Sequence, residues 1–103
     1  MCGRFALIVD ASVLADVFDV DPPRDLQPRF NIAPTQSAPI CYPDGDTITY
    51  ADARWWFVPH WHKGEAKDWK ATTFNAKIET AREKPTFRTA WKSGRCIVPA
   101  SGY

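Results

Sequence analysis

Residues Ala38-Pro39-Ile40-Cys41-Tyr42 and Thr47-Ile48-Thr49-Tyr50-Ala51 form two short apolar stretches on either side of the turn sequence Pro43-Asp44-Gly45-Asp46. β-Branched and aromatic side chains favour strands. An Asp-Gly pair between two such stretches is among the strongest local signals for a tight antiparallel connection. The segment therefore predicts a β-hairpin in the middle of the chain.

On the N-terminal side of this hairpin, the sequence predicts a strand, a helix and an extended segment. Residues 2–9 are rich in apolar side chains, as a strand requires. Ser12 has the character of a helix N-cap, and Val13, Leu14, Val17 and Phe18 follow on one helical face until about Asp19. The prolines of residues 21–28 exclude a helix there, and residues 29–35 continue as an extended segment.

On the C-terminal side, short elements alternate with loops. Residues 54–58 predict a strand that ends at Pro59, and residues 60–69 predict a loop. Residues 72–76 predict an extended piece, and residues 78–83 and 86–91 predict helical turns. A last strand is predicted at residues 95–99. Many short strands with few short helices indicate a β-rich α+β fold. Because the chain ends soon after a strand, we expect it to be part of a longer domain.

Composition bounds the class of protein. The chain has 103 residues, 45% hydrophobic and 14% aromatic, which excludes an intrinsically disordered protein. No apolar run reaches the roughly 18–20 residues that span a bilayer, and the N-terminus lacks a secretory signal. We therefore expect no membrane partner and a cytoplasmic location, associated with the nucleoid in a bacterium. Three cysteines do not suggest a disulfide framework, and Cys41 and Cys96 are expected in the core.

Charge is distributed unevenly along the chain. Residues 1–52 have a net charge of −5 and residues 53–103 a net charge of +6. A basic half that also contains aromatic residues suits a polyanion such as nucleic acid. The alternative is a solvated basic face that the acidic half balances in the fold.

Cys2 follows the initiator methionine, which is normally removed when the next residue is small. The mature N-terminal residue would then carry an α-amine beside a thiol. The α-amine of a peptide ordinarily has a pKa of about 7.7–8.0, so roughly a tenth is uncharged at neutral pH. A free amine condenses with an aldehyde, and the thiolate can close a thiazolidine ring. The alternative is that Cys2 is a small buried residue.

Five segments follow one another along the chain: Met1-Cys2-Gly3-Arg4-Phe5, Arg29-Phe30-Asn31-Ile32-Ala33-Pro34-Thr35, Trp55-Trp56-Phe57-Val58-Pro59-His60-Trp61, Phe74-Asn75-Ala76-Lys77-Ile78-Glu79-Thr80, and residues 87–103 from Phe-Arg-Thr-Ala-Trp onward. In this order they resemble the SRAP family, also described as SOS-response-associated peptidase or abasic-site-processing proteins. The resemblance implies a mixed-sheet, barrel-like fold. It also implies that residues 1–103 are the N-terminal portion of a single SRAP domain.

The resemblance further implies an enzyme of DNA damage processing. Members remove their own initiator methionine, and Cys2 then forms a stable thiazolidine cross-link with the aldehyde of an abasic site in single-stranded DNA. No cofactor or metal is implied. A glutamate that assists methionine removal and a histidine that assists sugar opening are expected beyond Tyr103.

The resemblance assigns roles to four other residues. Asn75 would position the sugar hydroxyl or the α-amine, Arg4 and Lys77 would contact phosphates, and Trp61 would stack on a base. Taken without the family, Asn75 is also a common turn residue, Arg4 could form a surface ion pair, and Trp61 could belong to the core.

Three other functions would use parts of the same residue set. An N-terminal-nucleophile amidohydrolase would also use Cys2, and a plain single-strand binding module would use the tryptophans and basic residues. A zinc site from Cys41, Cys96, His60 and His62 is disfavoured because no Cys-x-x-Cys pair is present.

Overall fold

A computed structural model describes residues 2–21 and 25–103 of the chain. These residues fall into two compact units: a first unit of Cys2–Trp55 with Cys96–Tyr103, and a second unit of Trp56–Arg95. The described strands pair antiparallel and the helices are short, so the predicted α+β class is confirmed. The predicted proline linker falls partly on residues 22–24, which lie outside the described residues.

The first unit contains two antiparallel strand pairs and one helix. Its elements are β1 (Phe5–Leu7), α1 (Ala11–Phe18), β2 (Arg29–Ile32), β3 (Ser37–Asp44) and β4 (Thr47–Arg54). Strand β1 pairs with β2, and β3 pairs with β4. The β1–β2 register shifts between Phe5 and Leu7, so only a short part of the strand predicted for residues 2–9 forms.

The predicted hairpin is confirmed over a longer span than the sequence indicated. Pairing runs from Ser37 opposite Arg54 to Asp44 opposite Thr47, which leaves Gly45 and Asp46 as a two-residue turn. Gly45 has a φ of +62°, a left-handed conformation that costs glycine little because it has no Cβ.

Helix α1 is confirmed, but its first residue is earlier than predicted. The amides of Val13 and Leu14 both donate to the carbonyl of Asp10, which makes Asp10 the N-cap and places Ser12 inside the first turn. The helix ends at Phe18, and the C-cap residue Asp19 has a left-handed φ of 53°. Leu14 is buried and fixes the helix against the core.

The core of the first unit consists of two small apolar clusters. One is formed by Leu7, Ile32 and Ala38, with Phe5, Val9, Leu26 and Trp55 packed against it. The other is formed by Leu14, Val20 and Cys41, with Phe18, Leu26 and Tyr50 around it. Leu26 contacts both clusters, so the proline-containing segment itself joins β1–β2 to the hairpin.

The strand predicted for residues 95–99 is wrong. Only a single bridge forms, in which Cys41 and Ile97 exchange two backbone hydrogen bonds of 2.9 and 2.8 Å. Amide groups alternate between the two edges of a strand, so Pro39 and Pro43 lie on the same edge of β3 as the Cys41 amide. Neither proline has an N–H to donate, and the ladder cannot extend.

The strand predicted for residues 54–58 is also wrong beyond its first residues. Strand β4 ends at Arg54. Trp55 still exchanges backbone hydrogen bonds with Gln36 and Thr35. After Trp55 the chain enters the second unit, where the Phe57 amide donates to the Thr73 carbonyl at 3.1 Å.

The second unit is made of loops and short helical segments. A 3₁₀ turn covers Ala66–Asp68, α2 covers Ile78–Ala81 and α3 covers Arg88–Ser93. The helical turns predicted for residues 78–83 and 86–91 are confirmed with shifted bounds. Residues 72–76, predicted as an extended piece, are in neither a helix nor a strand. Within the described ranges, no helix has the length and apolar character that crossing a membrane requires.

Candidate functional site

Cys2 lies in an exposed segment at the start of the first unit. Cys2, Gly3 and Arg4 are all exposed, and a Cβ added at Gly3 would meet nothing within 4 Å. None of the three cysteines is in a disulfide. The expectation that Cys2 could be a small buried residue is therefore wrong, and its side chain is accessible from solvent.

Strand β1 anchors this segment three residues after Cys2. The Ala6 amide donates to Gly102 at 2.8 Å, and the Ser101 amide donates to Ala6 at 2.7 Å. The Ile8 amide donates to the Ser101 hydroxyl at 2.7 Å. The Phe5 ring packs edge-on against Trp55 at 5.3 Å between centroids. The exposed N-terminal segment is thereby carried on a fixed strand.

Arg4 keeps an accessible guanidinium. Its Nη1 donates to the neighbouring Gly3 carbonyl at 2.8 Å. Arg4 forms no ion pair with another residue that the structure describes, so the ion-pair alternative for Arg4 does not hold there. A guanidinium in this state can bind a phosphate through two parallel hydrogen bonds.

The loop after β2 belongs to the second resembling segment and is held by side chains. The Gln36 side-chain oxygen accepts from the Ala33 amide at 3.0 Å and from Arg29 Nη2 at 3.2 Å. Arg29 Nη1 also donates to the Ser37 carbonyl. Thr35 has a φ of 77°, a strained conformation for a β-branched residue. Its amide donates to Trp55 at 2.9 Å, which offsets part of that strain.

Asn75 and Lys77 lie in the second unit, on the segment that enters α2. Asn75 is half-buried, and Lys77 is exposed and is the N-cap of α2. Trp56 holds the preceding residues: its indole N–H donates to the Ala71 carbonyl at 2.9 Å, and its ring lies 5.0 Å from Phe74. The side chain of Asn75 is thus presented from a packed segment.

Trp61 lies on a loop of the same unit and is about half exposed, at 49%. Its ring meets Trp69 edge-on, with centroids 5.5 Å apart and planes at 79°. The alternative that Trp61 belongs to the core is wrong. An exposed indole supported by a second ring can stack on a nucleobase.

The predicted residues therefore form two groups, each within one unit. Cys2 and Arg4 belong to the first unit, and Trp61, Asn75 and Lys77 to the second. The sequence motifs gave no role to Trp69 or Thr73, which support Trp61. The sequence signal that could have found Trp69 was a second tryptophan in a loop that, apart from Trp61, is mostly polar.

The other cysteines differ from Cys2 in their surroundings. Cys41 is buried, as predicted, and its burial raises the pKa of its thiol, with the nearby Cys96 adding to the effect. Cys96 is exposed, so its prediction as a core residue is wrong. Because residues 95–99 form only a single bridge, at Ile97, no strand among the described residues covers Cys96. Partial burial of its sulfur still raises its pKa. Raised pKa values keep both thiols protonated and weakly nucleophilic.

No metal centre is formed by the described part of the chain. No three or more of its His, Cys, Asp and Glu residues lie close enough together to hold an ion.

A comparison with protein families identifies the chain. The family model described as SOS response associated peptidase (SRAP) matches residues 1–103. The chain belongs to the SRAP family. Both units of the structure fall within the matched range.

SRAP relatives match the whole chain. The abasic site processing protein YoaM of Bacillus subtilis is 39% identical over 100% of this chain and 46% of its own length. The abasic site processing protein YedK of Escherichia coli is 30% identical over 100% of this chain and 46% of its own length. The chain thus spans about half the length of these curated relatives.

A solved structure has the same fold. A crystal structure of a Bordetella bronchiseptica protein superimposes with a TM-score of 0.75 at 27% identity. It covers 96% of this chain, which covers 48% of that protein. The arrangement of short strands and helices is therefore an SRAP fold.

Proposed function

We propose that this SRAP protein processes abasic sites in DNA by forming a covalent bond through Cys2. The observation that carries the proposal is the exposed Cys2, next to the initiator methionine of a chain whose relatives are named abasic site processing proteins. An abasic site in its open form presents an aldehyde. An N-terminal cysteine offers an amine and a thiol that can both add to one carbonyl carbon.

The first proposed step exposes the amine. Hydrolysis of the Met1–Cys2 peptide bond consumes one water and releases methionine, leaving the α-amine on Cys2. We propose that the protein assists this step itself.

The second proposed step captures the aldehyde. The amine adds to C1′ of the open sugar, and loss of one water gives a Schiff base. The Cys2 thiolate then adds to the same carbon while the nitrogen takes up a proton, which closes a thiazolidine ring. The cross-link therefore adds the mass of the DNA minus one water.

The other residues are proposed to position the DNA strand. Asn75 would hydrogen-bond the sugar hydroxyl or the amine without competing as a nucleophile, because a carboxamide both donates and accepts. Arg4 and Lys77 are exposed cations suited to phosphates, although lysine lacks the planar fork of arginine. Trp61 would stack on a base beside the lesion. We propose that the strand is single, because stacking needs an unpaired base.

A single-stranded oligonucleotide that carries one abasic site tests this function. The protein should give an adduct that survives a denaturing gel, with an intact mass that lacks Met1. Cys2→Ala should give none. Cys96→Ala removes the other exposed thiol and should behave like the unsubstituted protein. An adduct that persists in Cys2→Ala, or that needs Cys96, contradicts the proposal.

Non-covalent binding of single strands is a second candidate. The second unit has nine lysines and arginines against four acidic residues, and it presents the half-exposed Trp61. Binding that weakens steeply with salt and leaves nothing covalent would favour this candidate.

A further inference from the structure

The loop that presents Trp61 is built around a second tryptophan. Trp69 meets the Trp61 ring at 5.5 Å and the His62 ring at 5.3 Å, both edge-on. Edge-to-face pairs at this separation are favourable beyond the area they bury. Two consecutive rings of the loop therefore share Trp69 as their support.

Trp69 is itself fixed by a buried hydroxyl. Its indole N–H donates to the Thr73 hydroxyl oxygen at 2.9 Å. The Thr73 hydroxyl donates in turn to the Phe57 carbonyl, and the Phe57 amide donates to the Thr73 carbonyl at 3.1 Å. Thr73 is 9% exposed, so water does not compete strongly for these bonds. The orientation of Trp69 is set by the backbone at both ends of the loop.

The segment between the two tryptophans is also closed by its own hydrogen bonds. The Glu65 side chain and the Asp68 side chain each bond the other residue's backbone at the ends of the 3₁₀ turn. A nitrogen of the His62 ring lies 3.1 Å from the Glu65 carbonyl. Gly64 has a φ of +104°, a conformation that a side chain at this position would strain.

We propose that Trp69 is a positioning residue that holds the Trp61 ring, so that residues 59–73 form one preorganised stacking subsite for a nucleobase. The inference rests on the proposed function in taking single-stranded DNA as the ligand and Trp61 as the residue that stacks on a base, and it adds the role of Trp69. Trp69 contacts one side of Trp61, and the 49% exposure of Trp61 leaves ring surface for a base. An indole fixed before binding loses less side-chain entropy when the base stacks.

Two of the three lysines of residues 59–73 have partners within the loop, and the third, the exposed Lys63, is the loop cation that could contact a phosphate. Lys67 is paired with Glu65 at 3.1 Å, and the Lys70 ammonium donates to the Lys67 carbonyl at 2.8 Å. Loss of a stacking contact lowers affinity without changing the number of counterions released, whereas loss of a phosphate contact lowers the salt slope. The two roles can therefore be separated by experiment.

A double-mutant cycle on Trp61 and Trp69 tests the proposal. Affinity for an undamaged oligothymidylate is measured over a range of salt concentrations, which separates binding from covalent chemistry. Trp61→Ala should weaken binding about 5- to 150-fold, the range of one base stack. Trp69→Leu should weaken it about 2- to 10-fold, the cost of ordering a mobile side chain. Neither change should alter the salt slope.

The double variant distinguishes positioning from general support of the fold. If Trp69 acts through Trp61, Trp61→Ala with Trp69→Leu should bind no more weakly than Trp61→Ala alone. Thr73→Val removes the hydroxyl that holds Trp69. It should weaken oligothymidylate binding when Trp61 is present and should not weaken it further in the Trp61→Ala variant. Lys63→Ala, which removes a charge from the same loop, is the control variant for the salt slope: its salt slope of binding is compared with the slopes of the Trp61 and Trp69 variants. Additive losses in the cycle overturn the proposal.

The outcome is separable from that of the proposed function. A protein that binds oligothymidylate through Trp61 but forms no adduct contradicts the covalent function and leaves the subsite in place. A protein that forms the adduct but shows no measurable oligothymidylate binding overturns the subsite. If Trp69→Leu lowers thermal stability, Trp69→Phe, which keeps a ring against Trp61 but cannot donate to Thr73, should bind as Thr73→Val does.

Discussion

At the scale of single residues, the three cysteines show how surroundings decide reactivity. Cys2 is exposed in an open N-terminal segment, Cys41 is 2% exposed in the core, and Cys96 is exposed beside it. The sequence distinguished Cys2 by its position next to the methionine. It did not distinguish Cys96 from Cys41, because both lie in apolar stretches and only one of them is covered.

Alkylation with iodoacetamide should follow these surroundings. In the folded protein, Cys41 should stay unlabelled until denaturant is added, because no reagent reaches it. Cys96 should label slowly at neutral pH and faster as the pH rises, since its raised pKa keeps the thiolate fraction low. Peptide mass spectrometry follows each site. Labelling of Cys41 at the rate of Cys96 in the folded protein would show that the hairpin edge opens.

At the scale of elements, local chemistry decided the hairpin, whereas long-range pairing decided what residues 95–99 form. The Asp-Gly turn and the flanking β-branched residues specify β3 and β4 without help from distant residues. The segment at residues 95–99 has equal strand character. The backbone partner it meets among the described residues is an edge of β3 that Pro39 and Pro43 interrupt, so it forms one bridge. The prolines were visible in the sequence, but the edge on which they lie was not.

Substitution of Gly45 measures how much the left-handed conformation of the hairpin turn contributes to stability. Nothing lies within 4 Å of an added Cβ, so Gly45→Ala should cost only the left-handed conformation, about 1–2 kcal/mol of unfolding free energy. Gly45→Asn should cost less, because asparagine tolerates this conformation. Gly3→Ala, also in open space but without a positive φ, serves as the control in urea unfolding. Equal stability of Gly45→Ala and Gly3→Ala would contradict the left-handed conformation of Gly45 in the turn.

At the scale of the whole molecule, the chain divides into two units of opposite charge. The second unit carries a net charge of +5 and the aromatic loop, whereas the first unit carries Cys2 and most of the buried residues. The stability of the first unit depends on a small number of fully buried side chains. Among them is Ile32, which is 0% exposed between Leu7 and Ala38.

Truncation of Ile32 should therefore be costly. Ile32→Ala should lower the unfolding free energy by about 2–5 kcal/mol and Ile32→Val by about 0.5–1.5 kcal/mol, because each leaves a cavity in proportion to its lost volume. Phe30→Ala on the same strand removes a larger side chain that is 72% exposed and should change stability by less than about 0.5 kcal/mol. Thermal unfolding ranks the stabilities of the three variants. A Phe30→Ala loss as large as that of Ile32→Ala would place Phe30 in a buried contact.

The hairpin, helix α1, the family and Cys2 as the candidate nucleophile could all be predicted from the residues alone. Each of these depends on residues close together in the chain or on covalent structure. Three other features emerged only in the folded chain: residues 95–99 form one bridge, Cys96 is exposed, and Trp69 supports Trp61. These depend on which backbone edges and side chains meet across many residues, and the free energy of such contacts is set by burial and geometry that residue types alone do not specify.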